Sequence, residues 1–222
     1  MRFALITEGA SEHRVIKHLI AKYFKDLDPE INQIQPKVVN DKQAAIGGWN
    51  EVLKYCEREE LKDIFVENDF LIIQIDTDQS QNRAFNISHL DSAGKVKSDK
   101  NLYTDVTLKL QLLIKPDIFE QYKERILFAI CIHSIECWLL PICYNDNHRM
   151  TTNNCINSLN IALSKQNKLR ISPSGKNTPN GIKAYTQILS NLKRKSDIIN
   201  VSKFNFGFNE FIKSLDKVVN NT

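Results

Sequence analysis

Three runs of apolar residues constrain this chain more than any other feature: Arg2 to Thr7 (RFALIT), Phe70 to Ile75 (FLIIQI) and Ile126 to Ile132 (ILFAICI). Short apolar runs bounded by turn residues read as buried strands. Each run ends in ionisable residues. The first is closed by Glu8-Gly9, with Glu12 one helical turn later. The second runs into Asp76-Thr77-Asp78. The third ends at His133, with Glu136 three residues on.

Helical patterns alternate with these strands. Ser11 can cap a helix carrying Val15, Ile16, Leu19, Ile20, Tyr23 and Phe24 at helical spacing. Lys37 to Asn40 reads as a weak second strand. Gln43 to Lys62 reads as a helix with Ile46, Trp49, Leu53 and Cys56 on one side. Gln79 to Lys100 is polar and aperiodic, the pattern of a mobile loop. Helices follow at Tyr103 to Leu113 and Ile118 to Lys123, separated by Pro116, and another passes through Glu136 to Leu140. Strand–helix alternation implies an α/β body at 1–143 with a mainly parallel sheet flanked by helices. Residues 144–222, rich in Asn, Ser and Lys at first, form a helical appendage or pack on the same core. They hold a Ser172-Pro-Ser-Gly-Lys176 loop and two helices, Ile182 to Lys193 and Phe208 to Val219.

Net charge is +4, from 30 basic and 26 acidic residues, too mild to imply a nucleic-acid partner by itself. Its distribution is uneven: 151–222 carry 11 Lys/Arg against 3 Asp/Glu, and 1–150 carry 19 against 23. That suits metal chemistry beside a polyanion, and equally suits solvated lysines on helices. The five cysteines form no CxxC pair, so they read as small core hydrophobes in a reducing cytosol rather than as a disulfide framework. The longest apolar stretch, Leu127 to Tyr144, holds His133, Glu136 and Pro141 and is a strand followed by a helix. A spanning helix needs about 20 apolar residues. A cytoplasmic protein with no membrane segment is the expectation.

In a parallel α/β sheet the carboxyl ends of the strands share one edge, where ligands bind. Glu8, Glu12, Asp76, Asp78 and Glu136 are therefore candidates for one cluster. Such a cluster repels itself unless a cation is present, and Mg²⁺ (or Mn²⁺) suits oxygen ligands of this kind.

The pattern Leu5-Ile6-Thr7-Glu8-Gly9-Ala10-Ser11-Glu12, with Ile75-Asp76-Thr77-Asp78, resembles the TOPRIM domain of topoisomerases, primases and the overcoming-lysogenisation-defect nucleases. The E-G-x-x-E form resembles the nuclease branch. Ser134-Ile135-Glu136-Cys137-Trp138-Leu139-Leu140 extends the resemblance to compact bacterial TOPRIM-like proteins associated with phage defence. The resemblance covers roughly 3–140. It implies a TOPRIM/Rossmann-like fold, with Glu8 as metal ligand or general acid/base, Asp76 and Asp78 as the metal-binding pair, and Glu12 as a second-metal candidate. Gln79-Ser80-Gln81 departs from the acidic or glycine residues that often follow the aspartate pair, which bears on a second metal.

Glu136 either faces the cleft or pairs with a basic group. His133 is a proton carrier or a satisfied strand-end histidine. Lys176 and Lys183 are candidates for holding phosphates, and Lys193-Arg194-Lys195 for tracking a nucleic-acid backbone. With the carboxylates these point to a Mg²⁺-dependent phosphodiesterase, a nuclease acting on DNA or RNA; the resemblance adds phage defence as a setting, in which a companion ATPase is one partner to look for. Two alternatives stand beside it. One is a phosphatase or phosphotransferase with Asp76 as nucleophile, because Asp76-Thr77-Asp78-Gln79-Ser80 resembles the haloacid-dehalogenase signature. The other is a noncatalytic TOPRIM-like partner or sensor subunit.

Overall fold

A computed structural model describes residues 1–39, 42–43 and 45–220. The first apolar run is strand β1 (Arg2–Ile6), and helix α1 (Ala10–Tyr23) follows the Glu8-Gly9 turn. Strand β2 (Glu30–Gln35) comes next, then a short antiparallel pair, β3 (Val38–Val39) with β4 (Lys42–Gln43). Helices α2 (Trp49–Cys56) and α3 (Ile64–Glu67) lead into β5 (Phe70–Asp76), the second apolar run. Helices α4 (Asp99–Leu113) and α5 (Pro116–Tyr122) precede β6 (Ile126–Cys131), the third. The remainder is helical: α6 (Glu136–Cys143), α7 (Cys155–Lys165), α8 (Pro179–Leu189), α9 (Lys195–Ser202) and α10 (Phe206–Asn220).

The four longer strands form one parallel sheet in the order β2-β1-β5-β6. This is an α/β fold of the expected class, consistent with a Rossmann- or TOPRIM-like architecture. The chain steps from β1 to β2 on one side and then returns to build β5 on the other. The carboxyl ends of β1 and β5 thus border the point where strand order reverses, the crevice where open α/β sheets bind ligands.

Side-chain alternation assigns the two faces. Phe3, Leu5, Phe70, Ile72, Leu127 and Ala129 share a core with α1, α6 and the later helices, including Leu159, Tyr185, Phe208 and Phe211. Trp138 is fully buried there and stacks on Phe208 at 4.8 Å. Ala4, Ile6, Leu71, Ile73, Ile75 and Ile130 face a second core with α2 and α4. Each large apolar side chain fully buried contributes roughly 1.5–3 kcal/mol relative to exposure. By the same parity, Gln74 and Asp76 point from β5 toward the face covered by α1, α6 and α8.

Several sequence expectations are corrected. The second strand is Glu30–Gln35, a polar edge strand whose register comes from backbone pairing with β1, so no apolar pattern announces it. Val38–Val39 instead belongs to the small hairpin, and Asn40 lies outside the described residues. The helix expected over Gln43 to Lys62 starts only at Trp49, after Gly47-Gly48, and ends at Cys56. Glycine costs about 1 kcal/mol in a helix interior, and Ile46, expected on the packed side, is 81% exposed. Ser11 lies inside α1 rather than capping it; Gly9 holds the cap position. The stretch after Asp78 is irregular yet pinned: Phe85 is fully buried and stacks on Trp49 at 5.9 Å, and Ser80 Oγ donates to Ile87 O at 3.0 Å. Two helices, α7 and α9, lie in segments whose Asn- and Lys-rich composition hid them.

The cysteine reading also changes. Cys137 and Cys155 form a disulfide joining α6 to the start of α7, while Cys56, Cys131 and Cys143 are free. Tertiary contact brings together two cysteines 18 residues apart that share no sequence motif. Cysteine usage therefore carries no argument for a reducing compartment. The apolar stretch from Leu127 resolves into β6 and α6, and among the described residues no helix is long and apolar enough to cross a membrane.

Candidate functional site

Glu8 and Asp76 meet at the crevice between β1 and β5. Glu8 Oε1 accepts the Asp76 backbone N–H at 2.6 Å, although the residues are 68 positions apart. Gln74 ties the two together. Its Oε1 accepts the Glu8 N–H at 3.1 Å, and its Nε2 donates to Asp76 Oδ1 at 2.8 Å. A buried amide in the strongest apolar strand is the signal that could have exposed Gln74; its role was not anticipated from the sequence.

Glu12 faces the same cleft from the first turn of α1 and is fully buried. Its Oε1 accepts from Lys176 Nζ at 2.7 Å, and its Oε2 from Ser11 Oγ at 2.8 Å. Lys176 arrives on a strap between α7 and α8. Asn177 fastens that strap: its Oδ1 accepts both the Ser11 N–H and the Ser11 hydroxyl at 2.9 Å. The strap and α1 approach so closely that a Cβ on Gly9 would lie 2.5 Å from Glu12 Oε2 and 2.7 Å from Asn177 Oδ1. Glu136, at the start of α6 and 2% exposed, accepts a hydrogen bond from the buried Tyr185 hydroxyl and lies 3.9 Å from Lys176 Nζ. Both readings of Glu136 are thus met in one place: it borders the cleft and has a basic neighbour. Lys176, expected to meet phosphate, is turned toward carboxylates. Nothing in the sequence pointed to Asn177 or Tyr185.

Partners decide the charge states. Burial, reinforced by Glu12, pushes the Glu8 carboxyl up to about 8. Burial and the neighbouring Glu8 hold Asp76 well above the ordinary carboxylate range. Glu12 goes the other way: burial opposes ionisation, but the Lys176 ammonium outweighs it and holds the carboxyl below its usual value. For Lys176, burial works against the charge, while Glu12, Glu136 and Asp76 raise its pKa.

Asp78 sits at the exposed rim. With His133, Ser134, Glu136, Asn154, Pro173 and Lys176 it lines a cavity of about 320 Å³. The turn is fixed from β6: Asp78 N–H donates to His133 O at 3.0 Å, and Thr77 Oγ1 accepts the His133 N–H at 2.8 Å. These bonds hold His133 at φ 62°, a left-handed conformation costing about 1–3 kcal/mol for a residue with a side chain. Its ring packs edge-on to His89 at 5.6 Å, and His89 Nε2 lies 2.9 Å from Thr77 O and from Ser80 Oγ. Burial, then His89, lowers the His133 pKa, which favours the neutral ring.

The other basic candidates do not join the cleft. Lys183 is exposed on α8 and makes none of the cluster's contacts. Lys193 is exposed, Arg194 pairs with Asp197 at 3.0 Å, and Lys195 lies over the Tyr23 ring at 4.1 Å. Tyr23 ends α1, whose first turn carries Glu12. At 1.5 Å rise per residue, the run sits about 16 Å down the helix from the acidic cluster.

Carboxyl oxygens are the donors a hard divalent cation takes, and Glu8, Asp76, Glu12, Glu136 and, at the rim, Asp78 supply them, with the Lys176 ammonium beside Glu12 and Glu136. Among the described residues, no three His, Cys, Asp or Glu side chains are already drawn together at metal-ligand spacing. Compared with protein-family models, curated proteins and solved structures, the chain matches none.

Proposed function

We propose that this chain is a divalent-metal-dependent phosphodiesterase of TOPRIM-like type, a nuclease using Mg²⁺ or Mn²⁺. The observation that carries the reading is the convergence of Glu8 and Asp76, remote in sequence, at the crevice where strand order reverses. An ion held by Glu8, Asp76 and Asp78 would orient the scissile phosphate, acidify water and stabilise the leaving oxygen. The chain's own groups prepare that chemistry. Gln74 orients Asp76 and the Glu8 backbone, and the Thr77–His133 hydrogen bond fixes the turn that presents Asp78. Where Glu8 is not itself a ligand it is the candidate general acid or base, a half-buried carboxyl at the crevice whose ionisation burial disfavours. The phosphotransfer alternative would use the same Asp76 as nucleophile, and the pairing of Asp76 with Glu8 across the crevice gives it no support beyond that.

The test is cleavage of plasmid, single-stranded DNA and tRNA with Mg²⁺ or Mn²⁺, using wild type, Asp76→Asn and Glu8→Gln. Metal-dependent cleavage in the wild type, lost in both variants, supports the reading. Cleavage that survives Asp76→Asn removes its chemical basis. Metal binding with every substrate left intact favours the noncatalytic alternative.

A further inference from the structure

Lys176 is an unusual resident for a cleft built from carboxylates. Its ammonium lies 2.7 Å from Glu12 and 3.9 Å from Glu136, and its strap is anchored independently by Asn177 to Ser11. We propose that Lys176 is a tethered counter-cation: it neutralises Glu12 while no divalent ion is bound and releases that carboxylate when an ion binds. The inference rests on the metal-dependent reading above and adds how ion access to that site is controlled.

Three features carry it. First, Glu12 has no exposure to solvent, so its charge needs a partner within the fold, and Lys176 supplies one. Second, the ammonium and a divalent cation compete for the same acidic surroundings and repel each other at close range. Both cannot keep full possession of Glu12. Third, Lys176 has somewhere to go. It borders the cavity of about 320 Å³ that Asp78 and Glu136 also line, and its flexible four-carbon stem lets the ammonium swing while Asn177 keeps the strap in place. A lysine suits this exchange better than an arginine, whose planar fork would hold a carboxylate in two bonds. In the displaced position the ammonium remains beside the cleft, able to meet an anionic group on the bound substrate.

The experiment measures Mn²⁺ affinity by calorimetry, together with metal-free melting, for wild type, Lys176→Met and Lys176→Arg. Lys176→Met keeps the stem and removes the charge. It is expected to bind Mn²⁺ about tenfold more tightly, the scale of one like charge removed from a partly shielded site, and to melt lower without metal. Lys176→Arg should bind Mn²⁺ no more tightly than wild type. Unchanged or weaker Mn²⁺ binding in Lys176→Met, with normal binding in the wild type, overturns the tethered cation alone. Absence of Mn²⁺ binding in both proteins overturns it together with the metal-dependent function. Should Lys176→Met fail to fold, amine labelling of wild-type Lys176, read by mass spectrometry, decides. Labelling should rise several-fold with Mn²⁺ as the ammonium leaves Glu12, and labelling that does not change sinks the exchange.

Discussion

On the β1–β5 side of the cleft, the Glu8 and Asp76 carboxyls are held by neutral donors, the Asp76 N–H and the Gln74 amide. On the strap side, Glu12 is held by an ammonium and a hydroxyl, and Glu136 accepts from Tyr185 with the same ammonium nearby. Asp76, Glu12 and Glu136 are buried and Glu8 is half-buried, yet Glu8 and Asp76 are pushed up while Glu12 is pushed down. At Glu8 and Asp76 the neutral hydrogen bonds are too few to outweigh burial and the neighbouring carboxyl, whereas at Glu12 the ammonium does outweigh burial. The strap side is complete within the chain. The sheet side has a charge that only an added cation, or a proton, satisfies.

The largest effect expected from breaking this contrast comes from Glu12→Ala. It takes from Lys176 its nearest carboxylate, and because the ammonium is 27% exposed and keeps Glu136 at 3.9 Å, the cost falls below the roughly 3–5 kcal/mol of a stranded buried charge, to about 2–3 kcal/mol. At about 2–4 °C per kcal/mol for a chain of this size, metal-free melting should fall by roughly 4–12 °C. A fall below a few degrees would mean that the strap side is not charge-coupled.

On the sheet side the sign reverses. Asp76→Asn should keep or raise metal-free stability, because it removes a buried carboxyl that the fold disfavours as an anion. Wild type in Mg²⁺ at 100 times its dissociation constant gains about 2.7 kcal/mol by linkage. That melting shift should vanish in Asp76→Asn.

Titration separates the two sides next. Glu8 has a folded value of about 8 against an ordinary 4.5, so its contribution to stability is full below about 4.5 and is lost as pH rises through about 8. Asp76, also raised, has the same sign. Glu12, lowered by Lys176, contributes above its ordinary range and loses that contribution as pH falls through its depressed value. Metal-free melting should therefore decline as pH rises from about 4.5 to about 8, and Glu8→Gln should flatten the decline. A melting curve that rises over that window contradicts the assignment.

Tyr185→Phe removes only the hydroxyl that donates to Glu136, so it tests one contact of the strap side. Hydrogen bonds to charged groups are worth about 1.5–3 kcal/mol, visible as a loss of a few degrees with the Mg²⁺ shift intact. The smallest effect belongs to the basic run. Arg194 is 77% exposed at its side chain and pairs with Asp197, so Arg194→Ala should change stability by no more than about 0.5 kcal/mol. Cleavage should also be unchanged, since the run lies along α1 away from the cleft. A marked loss of cleavage would extend the substrate path to that end of the molecule.

Much of this was legible because the signals are local. Three apolar runs became β1, β5 and β6 within a residue of their expected ends, and the residues closing the first two, Glu8 and Asp76, meet as parallel-strand topology requires. Elements stabilised by contacts distant in sequence were not legible. The edge strand Glu30–Gln35 carries no apolar pattern because β1 supplies its hydrogen bonds. The helix α7 sits in a segment whose composition reads as loop, and its burial comes from Leu159 and Leu163 meeting the core of α6 and α8.

The sequence by itself determined the parallel sheet and the edge at which its acidic residues gather, because strand burial and strand ends are written in adjacent residues. Tertiary structure alone decided which carboxylate is neutralised and by what. Lys176 is 164 residues from Glu12, and Asn177 is 166 from Ser11. Their pairing follows from how α8 packs beside α1, a fact of the core rather than of any motif. Charge in a buried cleft is set by atoms within a few ångströms, and here those atoms come from opposite ends of the chain.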